Sequence, residues 1–291
     1  MLLPKFEYHE PLTVDEACQI LGELGQKAKL LAGGTDLIVN MKKKVLSPTH
    51  VVSLSGIADL KGLDSANGTV KLGACLTASE IAQSETIQKS FSALSKGAAS
   101  LGSPLIRNLA TVAGNLVSAR PAADFPPPLL AYGAQVVLVK SSGERVVPLS
   151  DFFKGPGQTV MDPDELLTQI ILTKPPAGSG AGYFKLGLRK TLEISLTNAA
   201  AYLSLDPDGT IKTARIFLGS VAPTPLRSPS AEKVLTGEKP GEALFERAGE
   251  AAAGDSKPID DFRASADYKK AMVAVLTKRA LNMAFQEANA S

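Results

Sequence analysis

Ala110-Thr-Val-Ala-Gly-Asn-Leu116 and its upstream counterpart, Leu30-Leu-Ala-Gly-Gly-Thr-Asp36, are the two loops around which this chain is organised. Each loop places small residues and a threonine between segments whose patterns predict regular structure. Because glycine has no side chain, the backbone there can approach a bound molecule closely, and exposed N–H groups favour anions. The two loops together predict a site for a phosphate-bearing cofactor.

The composition excludes several classes of protein. With 291 residues, 44% hydrophobic and 21% charged, the chain can form two or three domains with real cores. A net charge of +2 with interspersed signs provides no basic face, so nucleic acid is not an expected partner. There is no apolar run long enough to span a bilayer and no signal-peptide core behind Met1. We therefore expect no membrane insertion and a cytoplasmic location.

Few residues are suited to chemistry of their own. Two scattered cysteines, Cys18 and Cys75, cannot hold an iron–sulfur cluster of the usual four-cysteine kind. We expect both thiols to be buried and inert. The two histidines, His9 and His50, lie apart from the glycine loops, so neither a metal site nor a catalytic triad is predicted. No catalytic residue is assigned, and a cofactor is expected to supply the chemistry.

Local patterns predict alternating helices and strands. Capping-box sequences begin helices at Thr13 and Thr77, and the apolar spacing continues the first helix to residue 24. A further helix is expected after Leu37, one with an apolar face from Phe91 to Leu101, and one after Asp124. Strands are predicted at residues 29–31, 50–54, 69–74, 135–139 and 164–172.

The pattern changes after residues 175–180, Pro-Pro-Ala-Gly-Ser-Gly, which are predicted to be a linker. Residues 198–205 and 211–218 flank an Asp-Pro-Asp-Gly turn and predict an antiparallel hairpin. Two helical stretches, 242–253 and 267–288, end the chain. The sequence therefore predicts three α+β units, at residues 1–55, 56–176 and 177–291.

The two loops also carry suitable polar groups for a nucleotide cofactor. The glycines Gly33, Gly34 and Gly114 would expose backbone N–H groups to diphosphate oxygens, and Thr35, Thr111 and Asn115 would add donors. Asp124 would accept hydrogen bonds from ribose or ribityl hydroxyls. The alternative interpretation is that both loops are only tight turns of an α/β fold.

Five motifs in order resemble one family. They are Ala32-Gly-Gly-Thr-Asp36, Thr111-Val-Ala-Gly-Asn115 with Asp124 nine residues on, Tyr183-Phe-Lys-Leu-Gly-Leu-Arg-Lys190, Gly219-Ser-Val-Ala-Pro-Thr-Pro-Leu-Arg227 and Ser265-Ala-Asp-Tyr-Lys269. The chain resembles the flavin-binding middle subunits of molybdenum hydroxylases, which are related to the central domain of xanthine dehydrogenase. The resemblance covers nearly the whole chain.

The resemblance implies an α+β fold. Residues 1–176 would form a two-lobed FAD-binding domain of the PCMH type, as in vanillyl-alcohol oxidase relatives, with lobes at 1–55 and 56–176. Residues 177–291 would form an α+β C-terminal domain with an antiparallel sheet and helices. The expected FAD contacts are Leu31, Ala32, Gly33, Gly34, Thr35, Asp36, Leu101, Thr111, Ala113, Gly114, Asn115, Asp124, Leu166 and Lys185. The FAD is expected to be non-covalent.

By the same resemblance, the function would be electron transfer. FAD in this chain would take electrons from iron–sulfur clusters of a small partner subunit, and a large molybdopterin subunit would oxidise the substrate. NAD, ferredoxin or a quinone would be the external acceptor, and the assembly would be a dimer of heterotrimers. Two alternatives stay open: a stand-alone FAD-dependent oxidase or dehydrogenase, and a structural interaction module without enzymatic activity.

Departures from the family pattern refine these expectations. Ala113 replaces the first glycine of the usual Gly-Gly pair. Its side chain would make the approach of the loop backbone to the cofactor less close at that position. Ile194 stands where carbon monoxide dehydrogenase relatives carry a tyrosine, and Thr35-Asp36 replaces their His-Ser, so carbon monoxide is a disfavoured substrate. The segment Ser118-Ala-Arg-Pro-Ala-Ala123 is expected to be exposed and to offer docking ground for the iron–sulfur subunit through Arg120.

Overall fold

The computed structural model describes residues 2–189 and 191–290, and its combination of helices with four β-sheets confirms the predicted α+β class. Met1, Lys190 and Ser291 lie outside the described residues, so the last position of the motif that begins at Tyr183 is outside them too. Within the described residues, none of the helices combines the length and the apolar character needed to cross a bilayer.

The first lobe is a three-stranded parallel sheet with two helices. The strand order is β1-β3-β2, and the elements are β1 (Glu7–His9), α1 (Val14–Leu24), β2 (Ala28–Leu31), α2 (Leu37–Lys42) and β3 (His50–Ser53). Thr13 caps α1 as predicted, since its hydroxyl accepts from Glu16 N–H. The predicted capping box is only half formed, because the Glu16 carboxylate accepts from Leu12 N–H instead of Thr13 N–H.

The second lobe is a five-stranded antiparallel sheet covered by short helices. Its strand order is β4-β5-β10-β6-β7. The strands are β4 (Leu63–Ala66), β5 (Thr69–Gly73), β6 (Gln135–Lys140), β7 (Gly143–Pro148) and β10 (Leu166–Thr173), with a separate hairpin of β8 (Phe153–Gly155) and β9 (Gln158–Thr159). The helices are α3 (Ala78–Gln83), α4 (Glu85–Ser90), α5 (Ser92–Ser100), α6 (Pro104–Arg107), α7 (Val112–Val117), α8 (Pro126–Ala131) and α9 (Leu149–Phe152).

The structure corrects the helix that was predicted with an apolar face from Phe91 to Leu101. Phe91 breaks the helical backbone with φ −143° and separates α4 from α5. In that conformation its ring is fully buried, with its centroid 5.1 Å from that of Tyr132 in an edge-to-face arrangement. Short elements such as β1 and β4 were not predicted, because three or four residues carry too little periodicity.

The C-terminal part is a four-stranded antiparallel sheet packed against helices. Its elements are β11 (Ser179–Leu186), β12 (Thr197–Leu205), β13 (Ile211–Gly219), β14 (Leu226–Arg227), α10 (Pro229–Leu235), α11 (Glu242–Asp255) and α12 (Ala266–Ala290). The hairpin of β12 and β13 and the last two helices agree with the prediction, whereas α10 was missed. The predicted linker also extended too far, because Ser179 and Gly180 already belong to β11.

Gly180 and Gly182 let α12 lie directly on β11. A β-carbon at Gly180 would lie 2.1 Å from the carbonyl oxygen of Ala284, and one at Gly182 would lie 2.2 Å from that of Ala280. The helix backbone therefore contacts the strand backbone, and no larger residue fits at either glycine. The Gly-rich character of this segment reflects close packing of a helix on a strand and not chain flexibility.

The three predicted units share one hydrophobic core. Its buried residues come from α1 (Ala17), from the second lobe (Phe91, Phe125) and from the C-terminal sheet (Tyr183, Phe217). A second cluster lies inside the C-terminal part, between its sheet and α11 and α12. The units are thus separate in sequence and sheet topology but continuous in packing.

An ion-pair cluster fixes the start of α12. Asp261 accepts from Arg263 at 2.6 Å and from Lys269 at 2.8 Å, and the side chain of Lys269 is 2% exposed. The hydrogen bonds from Arg263 and then from Lys269 hold the pKa of the Asp261 carboxyl well below its ordinary value. The carboxylate therefore stabilises the native state in its charged form.

Candidate functional site

A cleft of about 600 Å³ lies between the first two lobes and is lined by both glycine loops. Its volume is within the range of roughly 300–1,000 Å³ that small-molecule sites occupy. Eleven of the fourteen predicted contact residues line it: Ala32, Gly33, Gly34, Thr35, Asp36, Leu101, Thr111, Ala113, Gly114, Asn115 and Leu166. The other three, Leu31, Asp124 and Lys185, do not.

The first loop presents backbone donors to the cleft. It runs from the end of β2 into α2, and Gly34 has φ +71°, a left-handed conformation that glycine adopts without strain. Within the described chain, the backbone N–H groups of Gly34, Thr35 and Asp36 donate to no protein acceptor. Three consecutive unpaired N–H groups at a cleft wall are suited to an anionic ligand such as a diphosphate.

Gly33 has a different role from the one predicted. A β-carbon at Gly33 would lie 1.8 Å from the carbonyl oxygen of Leu109 and 2.6 Å from its carbonyl carbon. Leu109 immediately precedes the second loop, so the backbones of the two loops are in direct contact. The absence of a side chain at Gly33 thus brings the loops together.

The second loop uses most of its backbone N–H groups internally. Val112 donates to Leu76 O, Ala113 to Ala74 O, Asn115 to Thr111 O, and Gly114 to the Thr111 hydroxyl oxygen at 3.1 Å. The expectation that Gly114 N–H is available to a diphosphate is therefore wrong, because Thr111 caps α7. This loop can still offer the hydroxyl hydrogen of Thr111 and the side-chain NH₂ of Asn115, whose Oδ1 accepts from Phe125 N–H at 3.4 Å.

One side-chain hydrogen bond spans the cleft. Ser118, at the end of α7, donates from its hydroxyl to Asp36 Oδ2 at 3.0 Å. Ser118 was not predicted as a site residue, although its position three residues after Asn115 places it on the next helical turn. The bond fixes the spacing of the two loops and orients the Asp36 carboxylate.

Asp124 and Lys185 contact each other instead of the cleft. Lys185 Nζ lies 2.8 Å from Asp124 Oδ2 and 3.1 Å from Ser100 O, and Tyr183 donates its hydroxyl to Asp124 Oδ1 at 3.0 Å. The side chain of Lys185 is 10% exposed and that of Asp124 is 8% exposed. Burial raises the pKa of the Asp124 carboxyl, and the nearby Lys185 ammonium opposes that shift. Both carboxylate oxygens already have partners, and the pair links the second lobe to the C-terminal sheet.

Apolar groups also line the cleft. Leu101, which caps the C-terminus of α5, is 7% exposed and Leu166 of β10 is 2% exposed. Cys75 also lines the cleft and is only partly buried, so the prediction that its side chain is buried is wrong. Burial nevertheless raises the pKa of the Cys75 thiol to about 11, which keeps it protonated and unreactive at neutral pH.

The segment 118–123 differs from the exposed docking surface that was predicted. Ala119 and Ala123 are buried at 4% and 6% exposure, and Pro121 O accepts from Ser220 N–H of the C-terminal part. Arg120 is exposed, but it lies in the wall of the cleft. Its guanidinium is therefore placed for a ligand in the cleft.

Sequence reasoning missed more than half of the lining residues. The missed residues are Lys29, Leu30, Leu37, Asn40, Leu46, Leu54, Ala74, Cys75, Ile106, Ala110, Val117, Ser118, Arg120, Gly157, Met161 and Leu167. Several of them adjoin the two glycine loops in sequence, so the composition of those loops could have indicated them. Gly157 and Met161 come from a distant hairpin and the segment after it, and no local pattern connects them with the site.

Comparison with protein families gives two matches that together cover almost the whole chain. Residues 4–175 match the family described as the FAD binding domain in molybdopterin dehydrogenase. Residues 182–284 match the family described as the CO dehydrogenase flavoprotein C-terminal domain. The first match contains every residue that lines the cleft.

Individual relatives agree over their full length. The carbon monoxide dehydrogenase medium chain of Hydrogenophaga pseudoflava is 35% identical over 98% of this chain and 99% of its own. The xanthine dehydrogenase FAD-binding subunit of Escherichia coli O157:H7 is 30% identical over 95% of each chain. A solved structure of the Hydrogenophaga pseudoflava carbon monoxide dehydrogenase superposes with a TM-score of 0.94 over 99% of both chains.

Proposed function

Since this chain belongs to the FAD-binding medium subunits of the molybdenum hydroxylase family, we propose that it carries electrons between a partner subunit and an external acceptor through an FAD held in the cleft. The observation that supports this most directly is the first loop, where residues 34–36 line the cleft and their three backbone N–H groups have no acceptor among the described residues. FAD supplies the redox chemistry, because a flavin can accept single electrons and give up one or two.

The chain's own residues would bind and orient the cofactor. The backbone of Gly34, Thr35 and Asp36 would donate to the diphosphate, with Thr111 and Asn115 donating from the second loop. Leu101 and Leu166 would cover apolar ring surface and exclude water. Asp124 and Lys185 would act at a distance, since their buried ion pair positions the C-terminal end of α5, which leads into Leu101.

An independent oxidase with its own substrate is less well supported. Among the described residues, the titratable side chains that line the cleft are Lys29, Asp36, Cys75 and Arg120. Asp36 accepts from Ser118, and the Cys75 thiol stays protonated at neutral pH. This set supports binding of an anionic cofactor better than proton transfer to a second substrate.

Other acid–base candidates lie elsewhere. Tyr132 is buried and accepts from Ala93 N–H, and burial raises the pKa of its phenol far above the ordinary value. Glu193 is ion-paired with Arg189 at 2.7 Å. Neither residue lines the cleft.

We further propose that a small iron–sulfur subunit and a large molybdopterin subunit complete the enzyme, as a dimer of heterotrimers. NAD, ferredoxin and a quinone are the candidate acceptors. The substrate would be chosen by the large subunit, and relatives of this chain belong to enzymes named for carbon monoxide and for xanthine. The disfavoured status of carbon monoxide and the cytoplasmic location stay predictions from the sequence.

The cofactor is tested on the purified chain. We expect a yellow protein whose flavin is released by acid precipitation and elutes with FAD on chromatography. Release of FMN, or a flavin that stays attached to the precipitate, would contradict non-covalent FAD binding. A colourless chain that takes up no added FAD would favour the structural-module alternative.

The electron-transfer role is tested on the assembly. Affinity purification of this chain from its native host should recover two further subunits, one smaller and one larger. After reduction of the complex with substrate, its flavin absorbance should return on addition of NAD, ferredoxin or a quinone, each tried in parallel. Full turnover of a purine, an aldehyde or an N-heterocycle by the isolated chain would overturn the proposal.

A further inference from the structure

The two histidines meet at a place that the flavin site does not use. His9 Nε2 lies 3.1 Å from His50 Nδ1, although the residues are 41 positions apart. Glu7 Oε2 lies 3.4 Å from the same His50 nitrogen. All three ligand atoms lie within 4.8 Å of one another. The sequence analysis predicted no metal site, because the chain has only two histidines and both lie apart from the glycine loops.

Strand pairing explains the meeting. In the parallel pair of β1 and β3, Glu7 is opposite His50 and His9 is opposite Val52. Side chains on one face of a strand recur every two residues, so Glu7 and His9 share the face on which His50 lies. The backbone register therefore fixes all three donors on one surface, and no loop has to rearrange to bring them together.

We propose that Glu7, His9 and His50 form a binding site for a first-row divalent cation such as Zn²⁺. Zn²⁺ takes histidine nitrogen and carboxylate oxygen at about 2.0–2.2 Å in tetrahedral geometry, so two atoms bound to one ion lie roughly 3.3 Å apart. The distances of 3.1 Å and 3.4 Å at His50 agree with that separation. Imidazole and carboxylate together suit zinc and its neighbours better than Mg²⁺ or Ca²⁺.

The burial of the three side chains also suits a bound ion. Both histidines are partly buried, so their rings are held by the sheet, whereas Glu7 is exposed and can turn onto the ion. Their ring planes are tilted by 36° with centroids 5.3 Å apart, so the two rings do not stack face to face. Three protein donors leave the fourth tetrahedral position to water.

The site is separate from the flavin cleft. Glu7, His9 and His50 do not line the cleft. Lys29, a lining residue on the neighbouring strand, is paired with Val51, so its side chain lies on the opposite face of the sheet from that of His50. A bound ion would instead connect β1, a three-residue edge strand at the start of the chain, to the central strand of the first lobe. The expected consequence is a firmer N-terminal lobe without a change in flavin chemistry.

The test uses the full-length chain with its flavin, purified without a polyhistidine tag and treated with a chelator. Because the chain has only two histidines, ¹⁵N-histidine labelling gives two imidazole spin systems. On titration with Zn²⁺, both should shift together and saturate at one ion per chain. His9 should be metal-bound through Nε2 and His50 through Nδ1, so the two rings should show opposite tautomers.

Variants separate this site from other zinc-binding groups. His9→Ala and His50→Ala should each weaken Zn²⁺ binding, measured by calorimetry, by at least about tenfold, since loss of even an outer-shell partner costs metal sites about 10–100-fold. Glu10→Gln, a neighbouring exposed carboxylate, is the matched control and should bind as the unmodified chain does. An unmodified chain whose histidine signals do not move, movement of only one imidazole, or equal affinity in the histidine variants would overturn the proposal.

Discussion

Replacing Gly33 by alanine places a methyl carbon 1.8 Å from the carbonyl oxygen of Leu109. Side-chain β-carbons essentially never approach another heavy atom closer than 3.0 Å, so the loops must separate by at least 3.0 − 1.8 = 1.2 Å. Forcing an extra carbon into a packed site costs about 1–3 kcal/mol. We place the cost of Gly33→Ala at the upper end of that range, because the added carbon meets the backbone of Leu109 and Ala110 and not a movable side chain.

That cost can appear in two measurable quantities. If the loops stay together, the chain without flavin loses about 3 kcal/mol, roughly 5–10 °C in melting temperature for a protein of this size. If they separate, FAD must draw them together again, and its affinity falls by up to about 100-fold, since each 1.4 kcal/mol is a factor of ten. Thermal melts of the flavin-free chain and titration with FAD measure both.

Two further glycines provide a graded control. Gly22 lies in α1 with no atom within 4 Å of an added β-carbon, so Gly22→Ala should leave FAD affinity unchanged and stabilise the helix by up to about 1 kcal/mol. Gly34→Ala should be intermediate, because φ +71° strains alanine by about 1–3 kcal/mol and the nearest atoms, 3.1 Å away, belong to side chains that can move. Unchanged melting and unchanged FAD affinity in Gly33→Ala would refute the contact between the loops.

Three other predictions concern the Asp124–Lys185 ion pair, the Asp261 carboxylate and the Cys75 thiol. Lys185→Met should destabilise the chain by about 3 kcal/mol in urea unfolding, because it leaves the buried Asp124 without its ammonium partner, and the double variant with Asp124→Asn should recover part of the loss. Asp261→Asn should lower the urea midpoint at pH 6. Because the native pKa of Asp261 is depressed, its stabilising contribution is fully present above the unfolded pKa of about 3.9 and is lost progressively as pH falls from there through the native pKa, so the difference between the two midpoints should shrink steadily as pH falls below about 3.9. The Cys75 thiol of the flavin-free chain should react with iodoacetamide at pH 8 roughly 100-fold more slowly than an ordinary thiol, and a rate equal to that of free cysteine would contradict its raised pKa.

Local sequence signals determined much of this protein. The strand, glycine loop and helix at residues 29–42, the capped helix after Thr77, and the hairpin around residue 207 depend on contacts between residues a few positions apart. Eleven of the fourteen residues assigned to the cofactor line the cleft for the same reason, because they belong to two short loops whose composition already marks them. Two of the five motifs that carry the family resemblance lie in these same loops.

Tertiary structure decided which partner each polar group takes. Asp124 and Lys185 are 61 positions apart, and only the packing of the C-terminal sheet on α5 pairs them with each other. Strand register alone brings His9 to His50. The backbone N–H groups of the two glycine loops look equivalent in sequence, yet most of those in the second loop donate within the chain, whereas those of residues 34–36 find no acceptor among the described residues. Pairing of this kind depends on how distant elements dock, and that is fixed by burial of the shared core and not by any local pattern.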